Sequence, residues 1–461
     1  MRPAERYKKL KAYLSSENPV LLDAITYYEA LDKIARSIGL LDEDETYTTH
    51  ISWWPMISVL GTFSAGKSTF INDYVGQKVQ QSGNQAVDDK FTAVCYGDNT
   101  NVTTLPGLAL DADPRFPFYN ISKEVQKVDA GEGNRVDLYL QLKSVNAEVL
   151  KGKILIDSPG FDADSQRDAI LRISSHIVEM SDLVLVFFDA RHPEPGAMRD
   201  TLTHLVGTTI NHRDANKVLY ILNQIDTTSR EDNLEEVIAS WQRALAREGL
   251  VSGNFFAIYS DSALENEHDE ARYERLRSKR DADLVRIVER MDKVSIERSY
   301  RIIKALEDIA NGIKMRQLPR LQEILIGWSK KVFYSDLALA AAIGALLSWI
   351  EMSFGAIIPL FQNTPGVLGS LGLLGTVLLF SHFRMGDFFA KREIAKYQES
   401  EPHLAKAIAY NTRWWRTLRG FSHKGWQKNS VKRMSELISE SRALIQRLND
   451  QFVSPSGSSP K

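Results

Sequence analysis

The sequence predicts an α/β domain, a mostly parallel sheet with helices on both faces, joined to an α-helical bundle stalk that carries a hydrophobic hairpin. Three observations predict it. Short β-rich runs at 56–60, 136–142, 154–156, 183–188, 218–222 and 255–259 are separated by helix-length connections, the pattern of strands wound with helices. Apolar stripes at helical spacing lie toward both ends of the chain. Between 337 and 383 the composition turns almost wholly apolar.

The helical stripes come first. Ala24, Tyr28, Leu31, Ala35 and Ile38 share one face, and Gly39 is a natural stop. Ile302, Leu306, Ile309 and Ile313 repeat the pattern, and Met434, Leu437, Ser441, Leu444 and Leu448 carry a weaker version. These stretches are remote in sequence, yet each has a stripe to bury, and a bundle built from both ends of the chain buries all of them.

The apolar segment reads as two arms, 337–361 and 366–383, around a turn at Gln362, Asn363, Thr364 and Pro365. Each arm is close to the ~20 helical residues that cross a hydrocarbon core. Lys330 and Lys331 precede the pair, and Arg384, Lys391 and Arg392 follow it, which sets both ends on the cytoplasmic side. Gly366, Gly369, Gly372 and Gly375 leave one helix face open to a partner helix. Two other readings stay open: a helix pair buried in a soluble core, and a pair lying shallowly in one leaflet, favoured by Pro359 and Glu351. The expected organisation is bundle helices at 1–50, the α/β domain at 51–275, stalk helices at 276–335, the hairpin at 336–384, stalk helices at 385–453 and a disordered tail at 454–461.

Composition narrows the function. With 43% hydrophobic and 25% charged residues the chain is globular. Lys plus Arg numbers 57 against 59 Asp plus Glu, a balance that argues against a nucleic-acid coat. The single cysteine, Cys95, has no disulfide partner and reads as a small core residue. Residues 1–11 are polar and charged with no apolar run behind them, so a signal peptide is not expected and the α/β domain and both termini are placed in the cytoplasm.

The chemistry-bearing residues sit at the strand ends. Gly61, Thr62, Phe63, Ser64, Ala65, Gly66, Lys67 and Ser68 match the phosphate-binding loop Gly-x4-Gly-Lys-Ser/Thr, followed by Thr69, directly after the run 56–60 and ahead of a helical stretch. Backbone amides converging at a helix N-terminus hold phosphate; Lys67 would reach the β- and γ-phosphates and the Ser68 hydroxyl a Mg2+ ion. Asp157-Ser158-Pro159-Gly160 ends another run, where Asp157 serves the metal shell and the Gly160 N–H faces the γ-phosphate. Asn223-Gln224-Ile225-Asp226 ends a third, with the Asp226 carboxylate placed to accept two hydrogen bonds from a guanine edge. Ser260 and Ser262 lie where a backbone N–H would meet the guanine carbonyl. Four such elements at successive strand ends define a P-loop GTPase domain.

With 61–72, 90–97, 157–161, 187–190 and 223–226 together, this region resembles the dynamin superfamily, closest to its bacterial dynamin-like and EHD-type branches. The resemblance covers roughly 53–263. It implies GTP or GDP with Mg2+, self-association through nucleotide-bound heads, and coupling through a stalk to remodelling of a lipid bilayer by fusion, fission or tubulation. It also implies that Ser64 positions the γ-phosphate and a charge-compensating group. Three departures stand out. Phe63 occupies a slot where dynamins carry glutamine. Asp88 falls in the slot of the switch-one threonine, leaving Thr92 to match a second, less essential threonine. Gln224 replaces the lysine that stacks on the base. GTP is the expected nucleotide, with ATP, which EHD-type relatives use, as the alternative.

His192, near the site, reads as a surface histidine. The cation–aromatic stretch 413–433 suits an anionic lipid interface, with a solvated helix face packing its tryptophans as the alternative. The leading functional reading is a mechanochemical GTPase anchored by its hairpin. Its rival, motivated by Asp88, is a membrane-tethered nucleotide switch that hardly hydrolyses. A pore is a distant third, since Glu351 alone offers little for conduction.

Overall fold

The computed structural model describes residues 3–17, 19–62, 64–81, 90–113, 116, 118, 136–160, 173–174, 177–192, 217–227, 234–247, 250, 254–261, 270–355, 364–414 and 423–452. The chain divides into two compact units, one of Met1–Thr48 with Ile302–Lys461 and one of Thr49–Arg301. In the first lie α1 (Pro3–Glu17) and α2 (Val20–Ser37).

The second unit is built on β1 (Met56–Gly61), β2 (Phe91–Tyr96), β3 (Thr103–Pro106), β4 (Leu140–Val145), β5 (Ile154–Asp157), β6 (Leu183–Asp189), β7 (Val218–Asn223) and β8 (Asn254–Ala257). They form one sheet in the order β3-β4-β2-β5-β1-β6-β7-β8. The ladders β1–β5, β1–β6, β2–β4, β6–β7 and β7–β8 are parallel, while β2–β5 and β3–β4 are antiparallel. The sheet is therefore mostly parallel, as expected, with β2 reversed against its neighbour β5.

Alternation along the central strands sends side chains to two cores. Val59, Leu185, Phe187 and Ile221 pack with Phe70, Ile71 and Val75 of α3 (Lys67–Val75). On the opposite face Leu60, Val186, Phe188 and Leu222 pack with Trp241 and Leu245 of α4 (Leu234–Arg247). Trp241 is fixed there between Phe188 and Phe255, at ring-centroid distances of 5.5 and 5.7 Å.

Three local expectations shift. The run 136–142 is not one strand: Val136–Tyr139 is a helical turn and β4 begins at Leu140. Its Asp137 Oδ1 accepts the Leu108 N–H at 2.7 Å, a contact that holds the turn. The last strand runs one residue earlier and ends at Ala257, so Ile258 and Tyr259 belong to the loop after it. The boundary expected near 275 moves to Arg301, because α5 (Glu270–Gly312) packs Ile287, Met291 and Val294 into the sheet's core. Arg298 and Arg301 also donate to the fully buried Asp182 at 3.1 and 2.9 Å, and Asp182 accepts the Met56 N–H at 3.0 Å.

In the first unit the α2 stripe is buried: Ala24, Tyr28, Leu31, Ala35 and Ile38 are all inaccessible. So are Ile302, Leu306 and Ile313, with Ile309 half-buried, and the residues Met434, Leu437, Ser441, Leu444 and Leu448 of α9 (His423–Phe452). Tyr28 Oη donates to the Ile302 carbonyl at 2.8 Å, joining N-terminal and central helices. Between α5 and α6 (Leu318–Phe354) the helix takes a π turn at Ile313–Gln317. Pro319 explains it: proline offers no N–H and its ring crowds the carbonyl four residues back, which a wider turn relieves.

α6 and α7 (Thr364–Tyr397) form the expected hairpin. Its root is packed through Trp328, Val332 and Ala390, with Trp328 Nε1 donating to the Gly386 carbonyl at 3.0 Å. Lys331 pairs with Glu393 at 2.6 Å and His382 with Asp336 at 2.7 Å. Beyond that pair the arms are bare: Leu346, Trp349, Met352, Phe354, Leu368, Leu373 and Phe380 are all more than half exposed. One described helical stretch, Glu274–Phe354, includes a segment long and apolar enough to cross a membrane, and none of that segment is buried within the protein. Within this chain these arms are not packed into a core. Gly369, Gly372 and Gly375 face open space and do not mediate the α6–α7 contact. α8 (Pro402–Asn411) follows, and then Trp414, which meets Phe383 edge-on at 5.6 Å. Residues 415–422 of the cation–aromatic stretch and the whole tail 454–461 lie outside the described residues.

Candidate nucleotide site

β1 ends at Gly61 against β6, where an added Cβ would lie 2.7 Å from the Phe187 carbonyl oxygen. The loop then turns at Ser64 (φ 57°) and Gly66 (φ 81°), both left-handed, and α3 starts at Lys67 with no side chain capping it. Its first amides are left for a ligand, as a phosphate loop requires. Lys67 is folded back, its Nζ donating to the Gly61 and Thr62 carbonyls at 3.0 Å each. Burial pushes its pKa down to about 8, with Asp157 opposing the shift. Thr62, Ser64, Ser68 and Thr69 are half-buried, and Ala65 is buried. Phe63 lies outside the described residues.

Asp157 is the last residue of β5 and is buried, with its Oδ2 accepting Gln80 Nε2 at 2.6 Å; Gly160, three residues on, is half-buried. Thr92 stands opposite Asp157 in the β2–β5 ladder, fully buried, and its Oγ1 accepts Gln141 Nε2 at 2.7 Å. Asp88, in the switch-one slot, is outside the described residues.

The base loop is tied to the phosphate loop. Asn223, ending β7, donates Nδ2 to the Ala65 carbonyl at 2.9 Å, and a Cβ at Gly66 would sit 2.2 Å from that same nitrogen. Gln224, itself left-handed (φ 64°), donates Nε2 to the Ser64 carbonyl at 2.5 Å. Asp226 is half-buried; burial raises its pKa, Arg191 opposes the rise and Asp189 adds to it. Arg191 in turn binds Asp189 at 2.6 Å. In the loop after β8, Ser260 Oγ donates to Asp73 Oδ2 of α3 at 2.7 Å, while Ser262 is outside the described residues. A cavity of about 450 Å³ opens beside these loops, lined by Thr69, Asp73, Asn223, Tyr259, Ser260 and Arg280 among others.

The structure thus brings the phosphate loop, the Asp157 segment and the base loop together at the ends of β1, β5 and β7. Gln80, Asp73, Arg191 and Arg280 were not legible as site neighbours, because no motif marks them. His192 is highly exposed, 3.9 Å from the Asp189 carboxylate, and Cys95 is a half-buried residue of β2. Among the described residues no three His, Cys, Asp or Glu cluster for a metal. The oxygen donors present, the Ser68 hydroxyl and the Asp157 carboxylate, suit Mg2+, which takes few protein ligands and completes its shell with water and phosphate.

Part of the chain is similar in sequence to known proteins. The human EH domain-containing protein 2 is 30% identical over 182 residues, 37% of this chain and 30% of that protein. The rat EH domain-containing protein 3 is 28% identical over 182 residues, 37% of this chain and 31% of that one. The chain therefore matches under a third of those relatives' length. A solved structure of an oligomerised bacterial dynamin pair, described as sensing and tethering membranes at long range, shares 15% identity at a TM-score of 0.38, covering 96% of this chain and 78% of that one. A sequence model of the dynamin family matches residues 57–224. That match begins inside β1 and stops just past the end of β7, so over those residues the chain is similar to the dynamin family.

Proposed function

We infer that this protein is a membrane-associated dynamin-like GTPase, which binds and hydrolyses GTP with Mg2+ and couples pairing of its nucleotide-bound heads to membrane remodelling. The observation that carries the nucleotide half is the tie from Asn223 to the Ala65 carbonyl, which sets a base-reading loop beside a phosphate loop. The exposed arms of α6 and α7 support the membrane half.

In this reading Lys67 leaves its two carbonyl partners for the β- and γ-phosphates, whose charge favours its protonated form. The loop amides of 61–69 cradle the phosphates, Ser64 lies toward the γ-phosphate, and the Gly160 N–H meets it. Ser68 and Asp157 would hold Mg2+, which supplies charge neutralisation across the phosphate oxygens. Asp226 reads the base, with Ser260 and Ser262 in the loop that closes on it. A positioned water attacks the γ-phosphorus, the bond to the β-phosphate oxygen breaks, and GDP and phosphate leave.

Lys67→Ala is expected to abolish nucleotide binding; unchanged affinity in a fluorescent-nucleotide titration refutes the site. Turnover with and without liposomes separates the machine from its rival. Lipid-stimulated, concentration-dependent hydrolysis supports the machine, whereas a flat trace near zero supports the tethered switch that Asp88 motivates. Competition between GTP and ATP decides the base, since an EHD-like ATPase is the remaining alternative.

A further inference from the structure

Asp157 does not stand alone in its pocket. Its Oδ2 is taken by Gln80 Nε2 at 2.6 Å, and the Gln80 Oε1 is taken by Lys143 Nζ at 2.5 Å. Those two contacts leave the Gln80 amide only one orientation, with oxygen toward the ammonium and nitrogen toward the carboxylate. Lys143 also donates to the Val79 carbonyl at 3.2 Å. The backbone beneath is pinned by Asn72 of α3: its Oδ1 accepts the Val79 and Gln80 N–H groups at 2.8 Å each, and its Nδ2 donates to the Gln80 carbonyl at 2.9 Å. Asp157, Gln80 and Lys143 are 3, 1 and 8% exposed, so the chain of contacts is closed to water.

Burying a lysine is costly unless its charge is compensated, and here the compensation reaches a carboxylate through an amide. Lys143 lies two residues from Gln141 on the same face of β4, and Gln141 holds Thr92 opposite Asp157. One strand face therefore supports both the carboxylate's amide partner and its ladder neighbour. Neither Gln80 nor Lys143 belongs to a motif of the phosphate loop, the Asp157 segment or the base loop.

We propose that Gln80 and Lys143 are positioning residues that fix the plane of the Asp157 carboxylate for a divalent cation brought in with the nucleotide. This rests on the nucleotide reading above. Residues that orient a metal ligand from behind contribute roughly 10–100-fold in metal affinity. The bond from Gln80 to Asp157 sets the carboxylate; the bond from Lys143 to Gln80 sets the amide.

The test uses the full-length chain and a fluorescent GDP analogue, titrated in EDTA and then with Mg2+. Gln80→Leu and Lys143→Met are expected to keep the metal-free nucleotide affinity and to raise the half-saturating Mg2+ concentration about tenfold. The double substitution is expected to be no worse than either single one, because the two residues act in series. Lys143→Arg, which keeps a donor to the amide, is expected to stay close to wild type. An unchanged Mg2+ half-saturation in the leucine and methionine variants overturns the proposal, and so does loss of their metal-free binding, since the contacts would then serve only the fold. A wild-type chain that binds no nucleotide, or whose affinity ignores Mg2+, overturns the nucleotide reading itself and the relay with it.

Discussion

Asp226, proposed above to read the base, has its titration shaped by its surroundings. Burial lifts its carboxyl above the ordinary aspartate value, Arg191 pulls it back and Asp189 pushes it further up. Accepting two hydrogen bonds from guanine requires the ionised form. With a raised pKa, that form is complete only above the raised value and is lost as pH falls through it, sooner than for an exposed aspartate. The preference for GDP over IDP, which lacks the exocyclic amine, is therefore expected to decline on acidification at a higher pH than an exposed aspartate would give. Arg191→Ala should move that decline to higher pH, and a preference that stays flat on acidification would count against Asp226 as the base reader. Residues of this kind were legible when a motif fixed their spacing on one strand end, as for Lys67, Asp157 and Asn223. Gln80, Lys143 and Arg191 were not, because each acquires its neighbour only through packing between separate elements.

Elements were legible in proportion to how much of their pattern is local. β1, β5, β6 and β7 are continuous apolar runs buried on both faces, and the sequence marks them within a residue. β2 is equally buried over most of its length but inserts between β4 and β5, antiparallel to β5, a pairing that no alternation encodes. β3 is an edge strand, mostly exposed and ending on Pro106, so it carries almost no signal. The helix stops are clearer. Gly39 ends α2 with φ 79°, and a Cβ there would lie 2.6 Å from Tyr410 Cβ of α8. Gly76 ends α3 with φ 72°, facing open space. Gly39→Ala is thus expected to cost about 2–4 kcal/mol, left-handed strain plus overpacking. Gly76→Ala should cost only about 1–2 kcal/mol of strain. Urea unfolding followed by circular dichroism compares the two, and equal losses would show that the Tyr410 contact yields without resistance.

At the scale of the whole molecule, one unit is assembled from both ends of the chain, while the nucleotide unit is a single insertion between them. The α6–α7 hairpin belongs to the first and offers an apolar surface that its own unit does not cover. The apolar arm 337–354 extends about 27 Å at helical rise, close to the roughly 30 Å of a hydrocarbon core. Leu346, Trp349, Leu373 and Phe380 are 54, 60, 71 and 65% exposed. Had they been core, replacing each by serine would cost several kcal/mol apiece and unfold the unit. Exposed as they are, the four substitutions together should leave the thermal transition near that of the wild type and leave nucleotide affinity untouched. If the hairpin is the lipid anchor, the same variant should lose co-sedimentation with vesicles containing anionic lipid, because the apolar area that rewards insertion is gone. A variant that pellets with vesicles like the wild type would place the membrane contact elsewhere on the chain. A variant that unfolds would mean that these arms are covered in solution by a second copy.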